Sequence, residues 1–253
     1  MRKNSIKNSD FQKYYRQILL KKIGVAGQKK ILGGKVLVIG AGGLGCPLIL
    51  YLLHSGLGNL GIADHDKIEL SNLSRQVLFT KRDIGKYKTY VSKKIAKKIN
   101  NKTIIKTYTQ KIKLNNIDKI AKNYPIICDG TDNFESRLLI NDYCIKNKKI
   151  LISSAISEFD GQLFYFDFRK KIPCFRCFMP ETPKENLNCG SNGIMTTLAG
   201  IAGSLQANEV IKSILKIKTN LNGNMMVFNA LNSSFRKVKL SKNPGCKNNI
   251  FHG

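Results

Sequence analysis

One stretch constrains the fold of this chain more than any other: residues 35–66, which read KVLVIGAGGLGCPLILYLLHSGLGNLGIADHD. Residues 36–39 are apolar and mostly β-branched, as in a strand that is buried on both faces. A glycine turn follows, and a helical pattern then continues to His54. The glycine turn consists of Gly40, Gly42, Gly43 and Gly45. This order places a helix N-terminus beside bare backbone, where a phosphate group can bind.

A second apolar segment, residues 60–63, ends in Asp64, nineteen residues after Gly45. A carboxylate at the end of the second strand of such a unit accepts hydrogen bonds from ribose hydroxyls. The pattern therefore predicts a nucleotide site. It leaves open whether the nucleotide is a dinucleotide or a mononucleotide, and a glycine-rich turn can also serve only to pack a helix against a strand.

Length and composition predict a single soluble, cytoplasmic domain. The 253 residues can bury one sizeable core, and they contain no linker and no repeat. We divide the chain into an N-terminal helix and connector (1–34), a nucleotide-binding core (35–153) and a region with the cysteine loops (154–253). The N-terminus is too polar for a signal peptide, and the apolar run 194–205 is too short to span a membrane. Seven cysteines without a disulfide framework fit a reducing compartment.

The net charge of +27 would usually suggest a nucleic acid or an acidic lipid surface as partner. Lysine outnumbers arginine 35 to 8, however, and is scattered along the chain among asparagine and isoleucine. The chain also contains no RNA-binding signature with aromatic platforms. We therefore predict no nucleic-acid partner, and only a positive field that attracts nucleotides and acidic proteins.

The N-terminal region is predicted to form one helix followed by a connector. Asp10 is a plausible N-cap. Five apolar residues follow at helical spacing and form one stripe: Phe11, Tyr14, Tyr15, Ile18 and Leu19. Arg16 lies off this stripe and reads as a surface cation. Residues 24–34 are punctuated by glycine and predict an irregular connector into the first strand.

The segment after Asp64, residues 66–80, is irregular and polar, and it brings Asn72, Arg75 and Gln76 close together. Such a loop lies at the carboxyl edge of a parallel sheet, where ligands bind. Arg75 could clamp phosphate, because a guanidinium makes bidentate contacts with phosphate oxygens. Residues 85–100 predict a helix with Lys88 in its first turn.

The next buried strand, residues 125–129, ends in the sequence GTDNFESR. Asp129 and Asp132 are therefore expected at the same edge as the glycine turn. A carboxylate there can hold Mg²⁺ against a triphosphate. Asp132 could also be the N-cap of a helix over residues 134–146, and the two roles are compatible.

The remaining elements complete an α/β fold. Further strands are predicted at 103–109, 149–153, 161–168 and 224–240, and helices at 116–123 and 195–217. The last two strand segments alternate as antiparallel strands do. The long helix carries a small-residue face: Gly200, Gly203, Ser204 and Ala207. The predicted fold class is a Rossmann-like, mostly parallel sheet flanked by helices and extended by antiparallel strands at the C-terminal end.

Three cysteines have the spacing of a structural zinc site. Cys174 and Cys177 form CxxC, and Cys246 lies in the tail, but Asn249 stands where a second CxxC would end. Asparagine is a poor zinc ligand beside thiolates. Three alternatives stay open: His252 substitutes, water fills the position, or the site has been lost.

The other cysteines divide into two kinds. Cys46, Cys128 and Cys144 fall in segments predicted to be buried and read as small core residues. Cys189 lies in a polar loop before the long helix. It is a candidate nucleophile, and an ordinary loop cysteine is the alternative.

Taken together, these strings resemble the ThiF/MoeB/HesA adenylyltransferases, relatives of ubiquitin-activating enzymes. The resemblance rests on YYRQILL, VLVIGAGGLG, ADHD, LSNLSRQVLFT, CDGTDN, CFRC, NCGSNGI, GSLQANEVIK and NPGC, in this order along nearly the whole chain. It implies ATP-dependent adenylation of the C-terminal glycine carboxylate of a ubiquitin-like sulfur carrier. The products are an acyl-adenylate and pyrophosphate, and residues 154–253 would help to bind the carrier.

The resemblance also implies roles for particular residues. Asp64 would hold the ribose, Asn72, Arg75 and Lys88 would contact phosphates, and Asp132 would hold magnesium. These roles agree with the physics of nucleotidyl transfer, which needs positioning and charge neutralisation more than a protein nucleophile.

Two further implications concern partners. Arg16 would reach into the site of a neighbouring subunit, so that the enzyme works as a homodimer. The string VLFT, the chain length and the NC before the long helix favour the thiamine branch, in which Cys189 can link covalently to the activated carrier. The molybdopterin branch shares most of the strings and stays open.

Two hypotheses from other classes are also compatible with part of the sequence. A nicotinamide oxidoreductase would explain the glycine turn and Asp64, but not the turn at Asp132. A scaffold that binds a carrier without catalysis would explain the incomplete cysteine set.

Overall fold

Eight strands form one sheet within the residues that the structure, a computed structural model, describes (6–181 and 193–251). The strands are β1 (Lys35–Ile39), β2 (Asn59–Ala63), β3 (Ile104–Tyr108), β4 (Ile126–Asp129), β5 (Ile150–Ser157), β6 (Asp160–Asp167), β7 (Asn224–Asn229) and β8 (Ser234–Lys239). Their order across the sheet is β3-β2-β1-β4-β5-β6-β7-β8. The pairs from β3 to β5 are parallel and those from β5 to β8 antiparallel, which confirms the predicted fold class.

Helices cover both faces of this sheet. They are α1 (Asn8–Ile18), α2 (Gly24–Gly33), α3 (Gly45–His54), α4 (Lys88–Ile99), α5 (Ile117–Ala121), α6 (Phe134–Lys146), α7 (Phe175–Phe178) and α8 (Thr196–Leu215). Among the described residues, no helix is long and apolar enough to cross a membrane.

The central strand β1 shows why the sequence folds in this way. Its side chains alternate between two cores, as the two-residue period of a strand requires. Val36 and Val38 pack in a core with α3, α4 and α8, whereas Leu37 and Ile39 pack in a core with α5 and α6. All four are buried, so the strand reads as one continuous apolar run.

The register of the parallel strands determines which loops meet. Ile39 of β1 is the partner of Ala63 in β2 and of Asp129 in β4. The residues that follow these three positions, Gly40, Asp64 and Gly130, therefore leave the sheet at the same carboxyl edge.

The N-terminal region differs from the sequence prediction in three respects. α1 begins at Asn8 after Lys7, so Asp10 is not the N-cap; it pairs with Lys102 at 2.6 Å instead. Only Tyr14 of the predicted stripe is buried, and other members are exposed, as Leu19 is at 56%. The predicted connector is the helix α2.

Tertiary packing explains why α2 forms despite its glycines. Ile31 is completely buried, and a Cβ atom on Gly27 would lie 2.9 Å from Leu215 of α8. Close packing thus favours a small residue at this position and outweighs the low helix propensity of glycine. Glycine content alone is therefore a poor guide to a helix that is held by its neighbours.

The C-terminal elements agree with prediction in position, with two corrections. β5 extends to Ser157 instead of ending at residue 153, because it pairs with β6 along its whole length. The small-residue face of α8 is only partly packed: a Cβ on Gly203 would collide with the Leu44 carbonyl, whereas one on Gly200 would meet nothing within 4 Å.

Candidate functional site

Two glycines of the glycine turn are required by the packing of the turn itself. Gly40 has φ +95°, and a Cβ there would lie 2.7 Å from the Gly130 carbonyl oxygen. A Cβ on Gly45 would overlap with the Gly40 carbonyl oxygen. These two positions hold β1, α3 and the loop after β4 together, which is a purely structural role.

The other two glycines leave the turn open. Within 4 Å, a Cβ on Gly42 would meet the side-chain nitrogen of Gln76 at 3.9 Å. A Cβ on Gly43 would stand 3.4 Å from both Ala199 and the aliphatic part of Arg75. Tight packing therefore explains half of the glycine pattern. The remaining half gives a backbone surface beside a guanidinium at the start of a helix, which suits a phosphate.

Asp64 lies directly beside this turn. Its Oδ2 accepts the Ala41 N–H at 2.7 Å and its Oδ1 accepts the Asp66 N–H at 2.8 Å. Burial raises the pKa of Asp64, and the charge of Lys88 and these two amides oppose the shift without cancelling it. Each carboxylate oxygen keeps a second lone pair, so the group can still accept hydrogen bonds from a ribose.

Lys88 is brought to the same edge, but its ammonium already has a partner. It lies at the start of α4, is 5% exposed and stands 2.8 Å from Asp66 Oδ2. The pair fastens the loop after β2 to α4. The phosphate contact implied by the sequence resemblance would require Lys88 to share or exchange this partner.

The loop after β2 contains one signal that the sequence did not reveal. Arg75 Nη1 donates to the Ser71 carbonyl at 3.1 Å, and Asn72 Oδ1 accepts the Glu69 N–H at 3.4 Å. Gln76 is only 3% exposed, yet its Oε1 has no hydrogen-bond partner in the structure. An unpaired buried acceptor costs about 1–3 kcal/mol, so Gln76 is an energetically unfavourable feature beside the glycine turn.

Asp129, at the end of β4, does not face the edge as a metal ligand would. Its carboxylate is fully buried and accepts hydrogen bonds from the Thr131 backbone and hydroxyl and from Ser153 Oγ, at 2.6–2.9 Å. Arg137 Nε lies 3.4 Å away. Arg137 also donates to the Thr131 and Ser154 carbonyls. Asp129 and Arg137 therefore shape the turn that carries Asp132, a role the sequence analysis missed.

Asp132 is exposed, two residues after Gly130, whose carbonyl contacts the glycine turn. The N-cap of α6 is Asn133, which accepts the Ser136 N–H at 2.9 Å, so the alternative of Asp132 as N-cap is wrong. The Asp132 carboxylate accepts a hydrogen bond from the Asn133 side-chain amide at 3.4 Å. An exposed carboxylate of this kind fits Mg²⁺, which keeps several of its waters.

Arg16 is not brought to this site. Two hydrogen bonds hold α1 in place. The Tyr14 hydroxyl accepts one from the Asn100 amide at 3.2 Å, and the Gln17 amide donates the other to the Ser55 carbonyl at 3.2 Å. Asn100 and Ser55 follow the C-terminal ends of α4 and α3. A ten-residue helix is about 15 Å long, and α3 begins at the glycine turn. Arg16 therefore lies towards the opposite edge of the sheet from the glycine turn of its own chain.

The three predicted zinc ligands do come together. The sulfur atoms of Cys174, Cys177 and Cys246 all lie within 4.8 Å of one another, and those of Cys174 and Cys246 are 3.8 Å apart. Tetrahedral zinc with Zn–S bonds near 2.3 Å places sulfurs about 3.8 Å apart, so the set fits zinc. Asn249 is exposed, and Asn248 lies beside Cys174 instead.

The other cysteines predicted to be buried can be compared with the structure. Cys46, Cys128 and Cys144 are completely buried, as predicted. Burial raises the pKa of the Cys46 thiol to about 12, which makes it unreactive. Cys189 and His252 lie outside the described residues, so their predicted roles stay predictions.

Comparison with known families decides among the folds that share a glycine turn. A sequence model described as the ThiF family matches residues 14–248, nearly the whole chain. The chain belongs to the ThiF family. The resemblance inferred from the sequence motifs is therefore confirmed.

Relatives of this ThiF-family chain have names that describe related activities. A sulfur carrier protein adenylyltransferase of Thermus thermophilus is 35% identical over 94% of this chain and 90% of the relative. An adenylyltransferase and sulfurtransferase MOCS3 of Culex quinquefasciatus is 40% identical over 93% of this chain and 54% of the relative. A probable molybdopterin-synthase adenylyltransferase of Porphyra purpurea is 39% identical over 91% and 61%. The chain thus spans about half the length of the MOCS3 relatives.

Solved structures confirm the fold of the ThiF-family chain. Crystal structures of E. coli MccB superpose with a TM-score of 0.83 in the complex with MccA-N7isoASN and 0.82 in the complex with ATP. The first covers 96% of this chain and 75% of MccB, and the second 93% and 73%. Both are 24% identical to this chain, so they support the fold and not a shared substrate.

Proposed function

We propose that this chain adenylates the C-terminal glycine carboxylate of a ubiquitin-like sulfur carrier, with MgATP as the second substrate. The observation that carries the proposal is the open backbone at Gly42 and Gly43, which lies beside Arg75 and at the same sheet edge as Asp64 and Asp132. The names of relatives that match the chain over almost its whole length point to the same reaction.

The proposed reaction is one displacement at phosphorus. A carboxylate oxygen of the carrier forms a bond to the α-phosphorus of ATP, while the bond from that phosphorus to the oxygen of the leaving pyrophosphate breaks. Arg75 and the N-terminus of α3 stabilise the charge on the phosphates, and Asp64 orients the ribose. Magnesium, held by Asp132, would neutralise charge on the triphosphate.

A homodimer is part of this proposal. Arg16 is exposed and lies towards the wrong edge to serve its own glycine turn, so a role in the reaction would place it in the site of another copy. The face of α1 beside it is unusually apolar for a solvent-exposed surface, with Phe11, Tyr15 and Leu19 exposed at 36%, 45% and 56%. A second copy would cover these side chains.

The identity of the carrier is the finer part of the proposal. The sequence analysis favours a thiamine-type carrier because of Cys189 and the string VLFT. The name of the Porphyra purpurea relative favours a molybdopterin-type carrier. Both carriers present the same chemical group, a flexible tail that ends in a glycine carboxylate, so the site described above suits either.

The test is to incubate the protein with ATP, Mg²⁺ and each purified carrier in turn, and to look for a gain of one AMP by mass spectrometry. We expect an adduct on one carrier and ATP–pyrophosphate exchange that depends on the same carrier. No adduct and no exchange with either carrier would overturn the proposal in favour of a non-catalytic scaffold. Binding of NADH but not of ATP would revive the oxidoreductase hypothesis.

Asp132→Asn is the sharpest variant in this assay. We expect exchange to fall at least about 100-fold, because removing one charge-stabilising group typically costs 10²–10³ in rate. Glu135→Gln is the matched control: Glu135 is in the first turn of α6, and its side chain is 79% exposed. An equal loss in both variants would show that charge near α6, and not Asp132 itself, supports the reaction.

A further inference from the structure

The cysteine cluster lacks a fourth ligand in the part of the chain that the structure describes. Structural zinc sites are normally closed by four protein ligands, whereas three-ligand sites keep one position open. No further histidine, cysteine or carboxylate joins Cys174, Cys177 and Cys246 among residues 6–181 and 193–251. Asn249 is exposed in the 3-10 helix Asn249–Phe251.

A hydrogen-bond network fixes the C-terminal tail beside Cys246, at the place where a fourth zinc ligand would otherwise anchor it. Asn248 is 6% exposed, and its amide donates to Asp142 at 2.8 Å and to the Cys174 sulfur at 3.8 Å. Asp142, on α6, also accepts two hydrogen bonds from Arg176, at 2.7 and 2.8 Å. Lys247 lies 3.1 Å from the same carboxylate.

This network gives the tail an anchor that does not depend on a metal. It connects the residues next to Cys246 with α6 and with the arginine between Cys174 and Cys177. The three sulfurs are therefore held near one another by protein contacts. Such preorganisation lets a metal bind without first ordering the chain.

The charged residues around the cluster also suit a zinc ion bound by three thiolates. Zinc with three thiolates carries one net negative charge, and with four it carries two. Arg176 and Lys247 bring positive charge to the edge of the cluster, although Asp142 already neutralises part of it. The smaller charge of the three-thiolate complex is easier to accommodate in a region where Cys174 and Cys246 are 0% and 4% exposed.

We propose that this chain binds zinc through Cys174, Cys177 and Cys246 with an exchangeable water in the fourth position, and that Asn248 replaces the lost ligand as the anchor of the tail. The zinc therefore exchanges faster than it would from a site with four thiolates. The open position gives an incoming ligand direct access to the metal. The inference does not depend on the adenylation reaction, since it concerns only the cluster and the tail.

The first experiment uses cobalt in place of zinc in the full-length protein. Wild type, Asn249→Cys and the control Asn249→Ser are titrated with Co²⁺ and followed by absorbance. We expect one equivalent to bind in all three. The thiolate-to-cobalt charge-transfer band of wild type and of Asn249→Ser should be about three quarters of that of Asn249→Cys, because three of four ligands are thiolates.

The second experiment measures zinc transfer to a chromogenic chelator. We expect release from wild type to be at least about tenfold faster than from Asn249→Cys, which closes the coordination shell. Asn249→Ser should release zinc as fast as wild type. Neither experiment contains ATP or a carrier, so its result is independent of whether the adenylation proposal holds.

Four outcomes would overturn the inference. Wild type that binds no cobalt while Asn249→Cys does would show that the site has been lost. A spectrum that Asn249→Cys leaves unchanged would show that the fourth position is not open to a ligand from residue 249. A spectrum of wild type that changes in His252→Ala would identify a histidine as the fourth ligand. A Cys174–Cys246 disulfide in protein purified under reducing conditions would show that these cysteines form a disulfide instead of binding a metal.

The role of Asn248 has its own test. Asn248→Ala should speed zinc release about tenfold and make the tail after residue 240 more sensitive to protease. The neighbouring change Asn249→Ala should do neither, because Asn249 is exposed. Equal behaviour of the two alanine variants would refute the anchoring role, and the cobalt spectrum confirms in each case that the cluster still folds.

Discussion

The glycine turn and the cysteine cluster assemble distant residues in different ways. At the glycine turn, the register of β1, β2 and β4 brings three loops to one edge, and backbone contacts fix the turn. At the cysteine cluster, Cys174 and Cys246 are 72 residues apart, and their segments are held together by hydrogen bonds that Arg176 and Asn248 donate to Asp142. The first site is a property of the sheet, whereas the second depends on a few side chains and can change while the sheet stays intact.

Breaking the glycine turn should therefore have the largest effect on stability. Gly45→Ala puts a Cβ into the Gly40 carbonyl, which is backbone and cannot move aside. We expect a loss of more than about 4 kcal/mol in the free energy of unfolding, measured with urea. Gly33→Ala is the control, since a Cβ there meets nothing within 4 Å. A small loss for Gly45→Ala would mean that the turn is not fixed by its backbone.

Arg137 contacts both the loop beside the glycine turn and the segment that carries the cysteine cluster. Its removal therefore tests whether the stability of the two sites is coupled. Its guanidinium lies 3.4 Å from buried Asp129 and 5.6 Å from the ring centre of Phe175, next to Cys174. Arg137→Met leaves a buried carboxylate without its cation, and we expect a loss of about 3 kcal/mol in the free energy of unfolding. Combining it with Asp129→Asn should recover part of the loss, as a double-mutant cycle would show.

Gly42→Ala should separate binding from stability at the glycine turn. The position is open towards Gln76, so we expect a change below about 1 kcal/mol in the free energy of unfolding. ATP affinity should fall about tenfold, or about 1.4 kcal/mol, because the methyl group occupies the proposed phosphate surface. Isothermal titration of ATP against wild type measures this. Unchanged affinity would place the phosphates elsewhere.

The smallest effect is a difference in pH dependence between two buried carboxyls. Burial raises the pKa of Asp64, so its contribution to stability is lost as pH rises from the unfolded value, about 3.9, through its raised folded pKa. Burial also raises the pKa of Asp167, but the hydrogen bonds from Arg169 lower it by a larger amount, so the net pKa lies below its usual value. The stabilisation by Asp167 is therefore lost as pH falls below about 3.9. Unfolding of Asp64→Asn and Asp167→Asn between pH 3 and pH 7 should therefore deviate from wild type with opposite slopes.

Sequence periodicity was sufficient to predict the parallel sheet and the edge that carries the site. The continuous apolar run of β1 and the helical pattern of α3 are strong signals, and with the glycine turn between them they predict a strand–helix–strand unit with parallel strands. Asp64, Arg75 and Asp132 were identified from their positions after strands or in the adjoining loops, whereas the role of Lys88 came only from the family resemblance. Their roles in binding stay predictions, although the structure brings them to the expected edge.

The errors have a common physical cause. Asp10 and Asp132 were assigned as N-caps by sequence position alone, and the structure gives neither residue this role. Lys102 takes the Asp10 carboxylate, and Asn133 caps α6. Competition between adjacent side chains for one backbone or metal position depends on three-dimensional contacts that no local pattern contains.

β3 and β8 are the two edge strands of the sheet, and the lysine excess has a physical consequence there. A strand at a margin exposes unpaired backbone groups, which can pair with another chain and start aggregation. β8 carries Arg236, Lys237 and Lys239 within six residues, and β3 carries Lys106. Two such margins repel each other when molecules meet. The lysine excess at these margins thus opposes the assembly of molecules strand against strand.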